Sequence, residues 1–274
     1  MSEDLISRHL HPIMLPEKFL FLIFDVKANY NAYMFFFNRK RSAYSDFSEV
    51  GLDMHSHLVP GVDDGAKDVA DSISIITGLK ELGFQHLITT PHTLQGIHPN
   101  TQETLSTAHA LLSDKLPEGI VLNLSSEYYL DEQFDEQLIS KAVMPMPGNR
   151  LLIEFSQISR PLDLEEKIFD LGIKGYQVIL AHPERFIFFH RQFDYYKRLK
   201  EMGVELQLNA LSLTGHYGKN IKTIAEKLVE KDMIDFIGTD IHHVRHLEVL
   251  KQVPGTKSFE RLMKSGLLKN KHLY

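Results

Sequence analysis

The 274 residues carry 43% hydrophobic and 24% charged side chains and a formal net charge of -6, an ordinary balance for a globular chain and a poor one for coating a nucleic-acid backbone. With no cysteine, disulfides, thiolate metal sites and every cysteine-nucleophile mechanism are excluded. The longest apolar run near the start, residues 19–24, is far short of the roughly 20 residues that span a bilayer, and it lacks the flanks of a secretory signal, so the expected setting is the cytoplasm.

Residues 1–48 show no sustained period and read as an irregular N-terminal extension. Met34 is followed by Phe35-Phe36-Phe37 and the basic cluster Asn38-Arg39-Lys40-Arg41. Two readings are open: a true start at Met34 with residues 1–33 over-called, or a poorly ordered tail. Mass spectrometry of the native N-terminus separates them.

From residue 49 short apolar runs alternate with amphipathic stretches, the pattern of a parallel sheet with crossover helices. A strand over 50–54 leads to a helix over about 68–82, stopped by Gly83. A strand over 86–90 ends at Pro91, and a helix over about 101–113 precedes a strand over 120–125. After the Pro/Gly-rich residues 145–148 come a strand over 151–155 and a helix over about 162–171 that stops at Gly172. A strand over 177–181 ends at His182-Pro183, followed by a helix over about 193–202 and a strand over 204–208 that leads to Asn209. A helix over about 221–231, a strand over 234–238 and a helix over about 257–265 complete the chain. Seven βα repeats predict one α/β domain over 49–274, a closed barrel in place of an open sheet.

Catalytic groups in such barrels sit where strands end. The successive ends are Asp53-Met54-His55-Ser56-His57, Pro91-His92, Glu127, Glu154, His182-Pro183-Glu184-Arg185, Asn209 and Asp240-Ile241-His242. His55 and His57 alternate at a strand end and can face one side, as can Asp240 and His242. Taken singly, each has an ordinary explanation: a solvated loop Glu, a His-Pro turn, an Asp that caps the next helix. The joint pattern points to a metal site of imidazole and carboxylate ligands, suited to Mn, Zn or Fe.

These segments, with Pro60-Gly61-Val62-Asp63-Asp64-Gly65-Ala66, Thr90-Pro91-His92, Ser126-Glu127, Leu152-Ile153-Glu154-Phe155, Ala181-His182-Pro183-Glu184-Arg185-Phe186 and Gly238-Thr239-Asp240-Ile241-His242, resemble the PHP (polymerase and histidinol phosphatase) superfamily. Within it they are similar to the protein-tyrosine phosphatases of bacterial capsule and exopolysaccharide loci. The resemblance implies a distorted (β/α)7 barrel, TIM-like in design, with three metal ions, commonly manganese. It implies that His55, His57, Glu127 and Asp240 hold the first ion. Asp64, His92 and His242 would hold the second, and Glu127, Glu154 and His182 the third, with Glu127 bridging. It makes Arg185 the phosphate-binding residue, and His216 departs from the bulky residue expected there.

The implied reaction is attack on phosphorus by a metal-activated hydroxide, because a bound metal lowers the pKa of water from 15.7 toward about 7. Arg185 can grip two phosphate oxygens. The general acid stays open between His242 and a water on Asp64. The implied substrate is the phosphotyrosine tail of a tyrosine kinase that controls polysaccharide export. The other readings are a histidinol-phosphate or other small-molecule phosphatase and a non-catalytic metal-binding module; a nuclease is disfavoured because the sequence shows no basic stripe to follow a nucleic-acid backbone.

Overall fold

Every strand ladder between residues 52 and 238 is parallel, so each link must cross over. The structure is a computed structural model that describes residues 43–274; the alternatives concerning Met34 lie outside the described residues. The strands are β1 (Leu52–Asp53), β2 (His86–Thr89), β3 (His92–Thr93), β4 (Val121–Leu124), β5 (Glu127–Tyr129), β6 (Arg150–Glu154), β7 (Gln177–Ala181), β8 (Glu205–Asn209) and β9 (Phe236–Gly238). They form a three-stranded sheet of order β1-β2-β4 and a six-stranded sheet of order β3-β5-β6-β7-β8-β9.

The seven expected strands are all present, and nine segments arise because two of the positions are broken. Between β2 and β3 stands Thr90-Pro91, where proline has no N–H for the ladder. Between β4 and β5 stands Ser125-Ser126. Backbone bonds bridge the breaks: Ser125 N–H donates to Thr89 O at 2.9 Å and Glu127 N–H to Pro91 O at 3.1 Å. At the C-terminal mouth the first and last strand positions meet through Asp240 N–H to His55 O at 2.7 Å and His57 N–H to Ile241 O at 3.0 Å. The result is a distorted (β/α)7 barrel.

At the opposite end, a side chain makes the seam. Asn270 is buried; its Nδ2 donates to Leu52 O at 3.0 Å and Ile237 O at 2.7 Å, while its Oδ1 accepts from Ile237 N–H at 3.1 Å. Inside the barrel Leu52, Met54, Ile88, Leu152, Ile179 and Phe236 form a small apolar plug with Met146 and Leu273. The interior is therefore solid, and chemistry is confined to the mouth.

The helices are α1 (Val69–Glu81), α2 (Gln102–Ala110), α3 (Glu132–Ile139), α4 (Leu164–Ile173), α5 (Asp194–Glu201), α6 (Lys219–Glu230), α7 (Arg245–Leu250) and α8 (Lys257–Ser265). They bury their apolar stripes on the outside of the sheet in a second, larger core. Two helices were not expected. Helix α3 buries only Phe134 and Gln137, and α7 only His246 and Leu250, too few to register as periodic. Residues 43–274 lie in one compact unit. It takes in Phe47, upstream of the expected start at 49: Phe47 stacks on Phe84 at 4.9 Å and its N–H donates to Leu82 O at 2.8 Å. Among the described residues no helix is long and apolar enough to cross a membrane.

Candidate metal centre at the barrel mouth

The barrel brings together all nine residues expected as ligands. One donor atom from each of His57, Asp64, His92 and His242 lies within 4.8 Å of the others, and the same holds for His55, His57 and Glu127 and for His92, Glu127 and Glu154. His182 and Asp240 join the same cluster: His182 Nε2 is 3.0 Å from Glu127 Oε1, and Asp240 Oδ1 is 3.4 Å from His55 Nε2 and 3.3 Å from His57 Nε2. The groups differ from the expected sets in sharing His57 and His92 between neighbours.

Surrounding bonds decide which nitrogens are free. Gln207 Oε1 accepts the backbone N–H of His182 at 3.2 Å, which fixes its amide orientation, and the same oxygen lies 2.9 Å from His55 Nδ1. His55 Nδ1 must then be the donor, and its Nε2 carries a lone pair. His57 Nδ1 donates to Asp63 Oδ2 at 2.7 Å, a carboxylate that also accepts from the N–H groups of His92 and Gly65. His242 Nδ1 donates to Asp240 O at 2.9 Å. Three imidazoles are thus turned with Nε2 lone pairs inward, the arrangement by which outer partners orient metal-binding histidines.

Two of those lone pairs, on His55 and His57, lie 3.3 Å apart and face Glu127 Oε2 at 3.2 and 3.6 Å. Both Glu127 oxygens, fully buried, have no hydrogen-bond partner among the described residues, and neither does His182 Nδ1. Acceptors facing acceptors repel unless a cation stands among them. The donor set of imidazoles and carboxylates fits first-row divalent ions.

Without a metal, protons on the facing imidazoles take the cation's place. Burial disfavours an imidazolium at His55, yet Glu127 and Asp240 outweigh it and hold its pKa up at about 10. His92 is likewise at about 10, against its burial, through Glu127 and Glu154, and His242 at about 9 through Asp64 and Asp240. Burial alone would raise Glu127 and Asp240, but the facing histidines hold both well below the usual carboxylate range. Asp63 is at about 2: burial pushes it up, and its bonds to His57 and Gly65 more than compensate.

The backbone is shaped for this crowding. His182 and Asp240 have φ of 33° and 50°, a left-handed region that non-glycine residues occupy at a cost and that clusters at functional sites. A Cβ on Gly65 would lie 2.3 Å from His57 O, and one on Gly238 would lie 2.7 Å from His55 Cβ. Only glycine lets the loop at Gly65 and strand β9 approach the histidines.

Arg185 reaches the cluster from the turn after β7. Its Nη1 donates to Asp240 Oδ2 at 2.9 Å, an oxygen that also accepts from Asn209 Nδ2 at 2.7 Å. Its guanidinium lies 4.6 Å above the Tyr217 ring, and Asn209 Nδ2 also donates to the Tyr217 hydroxyl at 3.1 Å. Tyr217 thus supplies the aromatic bulk expected at His216, whose exposed ring sits edge-on to it. Asp64 is exposed at the rim, with Oδ1 3.4 Å from His242 Nε2 and 3.7 Å from His92 Nε2. The opening has a volume of about 270 Å³ and is lined by Asp64, His92, Glu154, His182, Arg185 and His242, together with Leu94, His98 and Gln157.

Gln207, Asp63 and Tyr217 were not singled out by sequence. A signal for the first existed: 205, 207 and 209 are all polar along a strand in which every residue is buried, so one face of β8 is polar, and its Gln207 and Asn209 reach the cluster while Glu205 pairs with Arg150 and Lys269 at the other end.

Residues 51–251 match the family described as capsular polysaccharide synthesis, CpsB/CapC. The chain is 31% identical over 198 residues to the tyrosine-protein phosphatase YwqE of Bacillus subtilis (strain 168), covering 71% of this chain and 78% of that protein. It is 28% identical over 207 residues to a putative tyrosine-protein phosphatase, CapC, of Staphylococcus aureus, covering 74% and 81% respectively. Among solved structures it resembles one from a study of YwqE of Bacillus subtilis and CpsB of Streptococcus pneumoniae, described as unique metal-dependent tyrosine phosphatases. The TM-score is 0.66 at 27% identity, over 80% of this chain and 94% of that one.

Proposed function

This chain belongs to the CpsB/CapC family of capsular polysaccharide synthesis proteins, and from that membership we propose that it is a metal-dependent protein-tyrosine phosphatase. The observation that carries the reading is the ring of inward lone pairs around the unpartnered carboxylate of Glu127, with Arg185 beside it. His55, His57, Glu127 and Asp240 would hold one ion, Asp64, His92 and His242 a second, and Glu127, Glu154 and His182 a third. Manganese is our choice among the metals that such nitrogen and oxygen donors accept. Bound divalent ions supply positive charge to the phosphoryl oxygens and a water acidified to near neutrality.

The protein's own groups do the rest. Arg185, held by Asp240 and supported on Tyr217, offers its remaining N–H groups to two oxygens of a phosphomonoester. As charge builds on those oxygens, the guanidinium stabilises it in place without reorganising. Gln207 and Asp63 keep the histidines in the tautomer that leaves Nε2 unprotonated. A phenolate departs readily, so protonation of the leaving group matters little; with His242 Nδ1 bonded to Asp240 O and its Nε2 turned to the metals, a water on Asp64 is the acid that remains. The absence of cysteine rules out a thiol-phosphate intermediate.

We assign this activity to residues 43–274 and, as natural substrate, the phosphotyrosine tail of a tyrosine kinase that governs polysaccharide export; a cytoplasmic setting accompanies that partner. The test is hydrolysis of para-nitrophenyl phosphate and of a phosphotyrosyl peptide by manganese-loaded protein, before and after exhaustive chelation, with histidinol phosphate as comparison. Turnover of the first two should vanish on chelation and return with manganese. Activity that survives chelation, or a preference for histidinol phosphate, would refute the reading.

A further inference from the structure

A groove of about 1000 Å³ lies directly beside the barrel mouth. Ile158 and Ile187, exposed by 78% and 52%, form its apolar side with Phe188. Arg191 and Lys219 bring positive charge to it, and no Asp or Glu lines it. Among the described residues neither the Arg191 nor the Lys219 side chain has an ion-pair or hydrogen-bond partner, so both charges are open to a ligand in the groove.

The groove is continuous with the mouth. Gln157 lines the mouth and the next residue, Ile158, lines the groove; Arg185 lines the mouth and Ile187 the groove. Ile187 N–H donates to Gln157 O at 3.2 Å, tying the two segments together. Tyr217 is the shared wall: its ring carries Arg185 and also borders the groove. The mouth itself, at about 270 Å³, is smaller than pockets that enclose drug-sized ligands, which run from roughly 300 to 1,000 Å³. It has room for a phosphorylated ring and little more, so the remainder of any polypeptide substrate must lie outside it.

We propose that this groove is the docking track for the polypeptide that flanks the substrate phosphotyrosine, and that it selects acidic segments carrying aliphatic or aromatic side chains. Aliphatic side chains of the segment cover Ile158, Ile187 and Phe188, while its carboxylates meet Arg191 and Lys219. Charges at such a rim act on capture and specificity more than on the chemical step. The inference rests on the phosphatase reading above.

Small and large substrates separate the groove from the mouth. The full-length manganese-loaded protein is compared with the Arg191→Glu/Lys219→Glu double variant and, separately, with Ile158→Asp. With para-nitrophenyl phosphate, which needs only the mouth, kcat/KM should stay within about twofold of wild type. With a phosphotyrosyl peptide flanked by Asp, Glu and Leu, KM should rise at least about tenfold with kcat kept. A peptide with Lys in place of the acidic residues should be a poor substrate for wild type and a better one for the charge-reversed variant. Anisotropy of the labelled, unphosphorylated acidic peptide reads the groove without turnover: wild type should bind it and the double variant should not. Loss of phosphotyrosine turnover with peptide binding intact contradicts the phosphatase reading and leaves the groove standing. Equal binding by wild type and variants, parallel loss on both substrates, or a change of sedimentation in the variants, which marks a contact between copies, overturns the groove.

Discussion

The smallest decisive unit in this protein is the hydrogen on His55 Nδ1. It points at Gln207 Oε1 because that oxygen also accepts from His182 N–H, and the consequence is an Nε2 lone pair aimed at the cluster. Gln207→Leu keeps a buried side chain of similar bulk but removes the acceptor. Metal affinity should fall about 10- to 100-fold, as is usual when an outer partner of a metal-binding histidine is lost, with little change in secondary structure. Calorimetric titration of manganese checks it; unchanged affinity would show that the tautomer is set elsewhere. The donors themselves were legible in the sequence, since His55, His57, His92, Glu127, Glu154, His182, Asp240 and His242 all stand at strand ends. Their supports were not. Asp63 adjoins Asp64 in the chain, and nothing local says that the first is buried against His57 while the second is exposed at the rim. That difference comes from Gly65, whose missing side chain lets the loop fold onto His57.

Among the elements, strand existence was readable from apolar runs, and strand continuity was not. Two strands break at Thr90-Pro91, where proline has no N–H to donate, and at Ser125-Ser126, whose hydroxyls bond Met144 O and Pro91 O, and the downstream halves, β3 and β5, then carry His92 and Glu127 into the second sheet. The barrel seam shows the same dependence on distant parts of the chain. Asn270, only a few residues from the C-terminus, spans β1 and β9 with three buried hydrogen bonds. No short-range pattern marks it, because its partners lie 33 and 218 positions away. Asn270→Ala leaves a buried N–H and two carbonyls without partners and should cost about 3 kcal/mol, read as a lower denaturant midpoint with an unchanged slope. A cost below about 0.5 kcal/mol would show that water or a shifted strand replaces the side chain.

Across the whole molecule, the mouth gathers acidic and imidazole groups into one buried volume that needs positive charge. Without metal, protons supply it. His55 and His92 titrate at about 10 and His242 at about 9, all raised from 6.5. A raised folded-state pKa stabilises the fold fully below the unfolded value and is lost as pH climbs through the folded one. Chelated protein should therefore melt at progressively lower temperature between about pH 6.5 and 10, and manganese affinity should increase over the same range as protons leave. A melting temperature that holds steady or rises with pH in the chelated protein contradicts this balance.

Glu127 stands at the centre of all three scales: it is buried, it sits where β5 resumes after the break, and it faces His55, His92 and His182 at once. The most direct measurement is metal content by elemental analysis, paired with phosphotyrosyl-peptide turnover on the same samples, for wild type and Glu127→Gln. Wild type should hold about three divalent ions per chain; the variant should lose at least one of them and lower turnover by about a thousandfold or more. A variant with full metal content and full turnover would contradict the account.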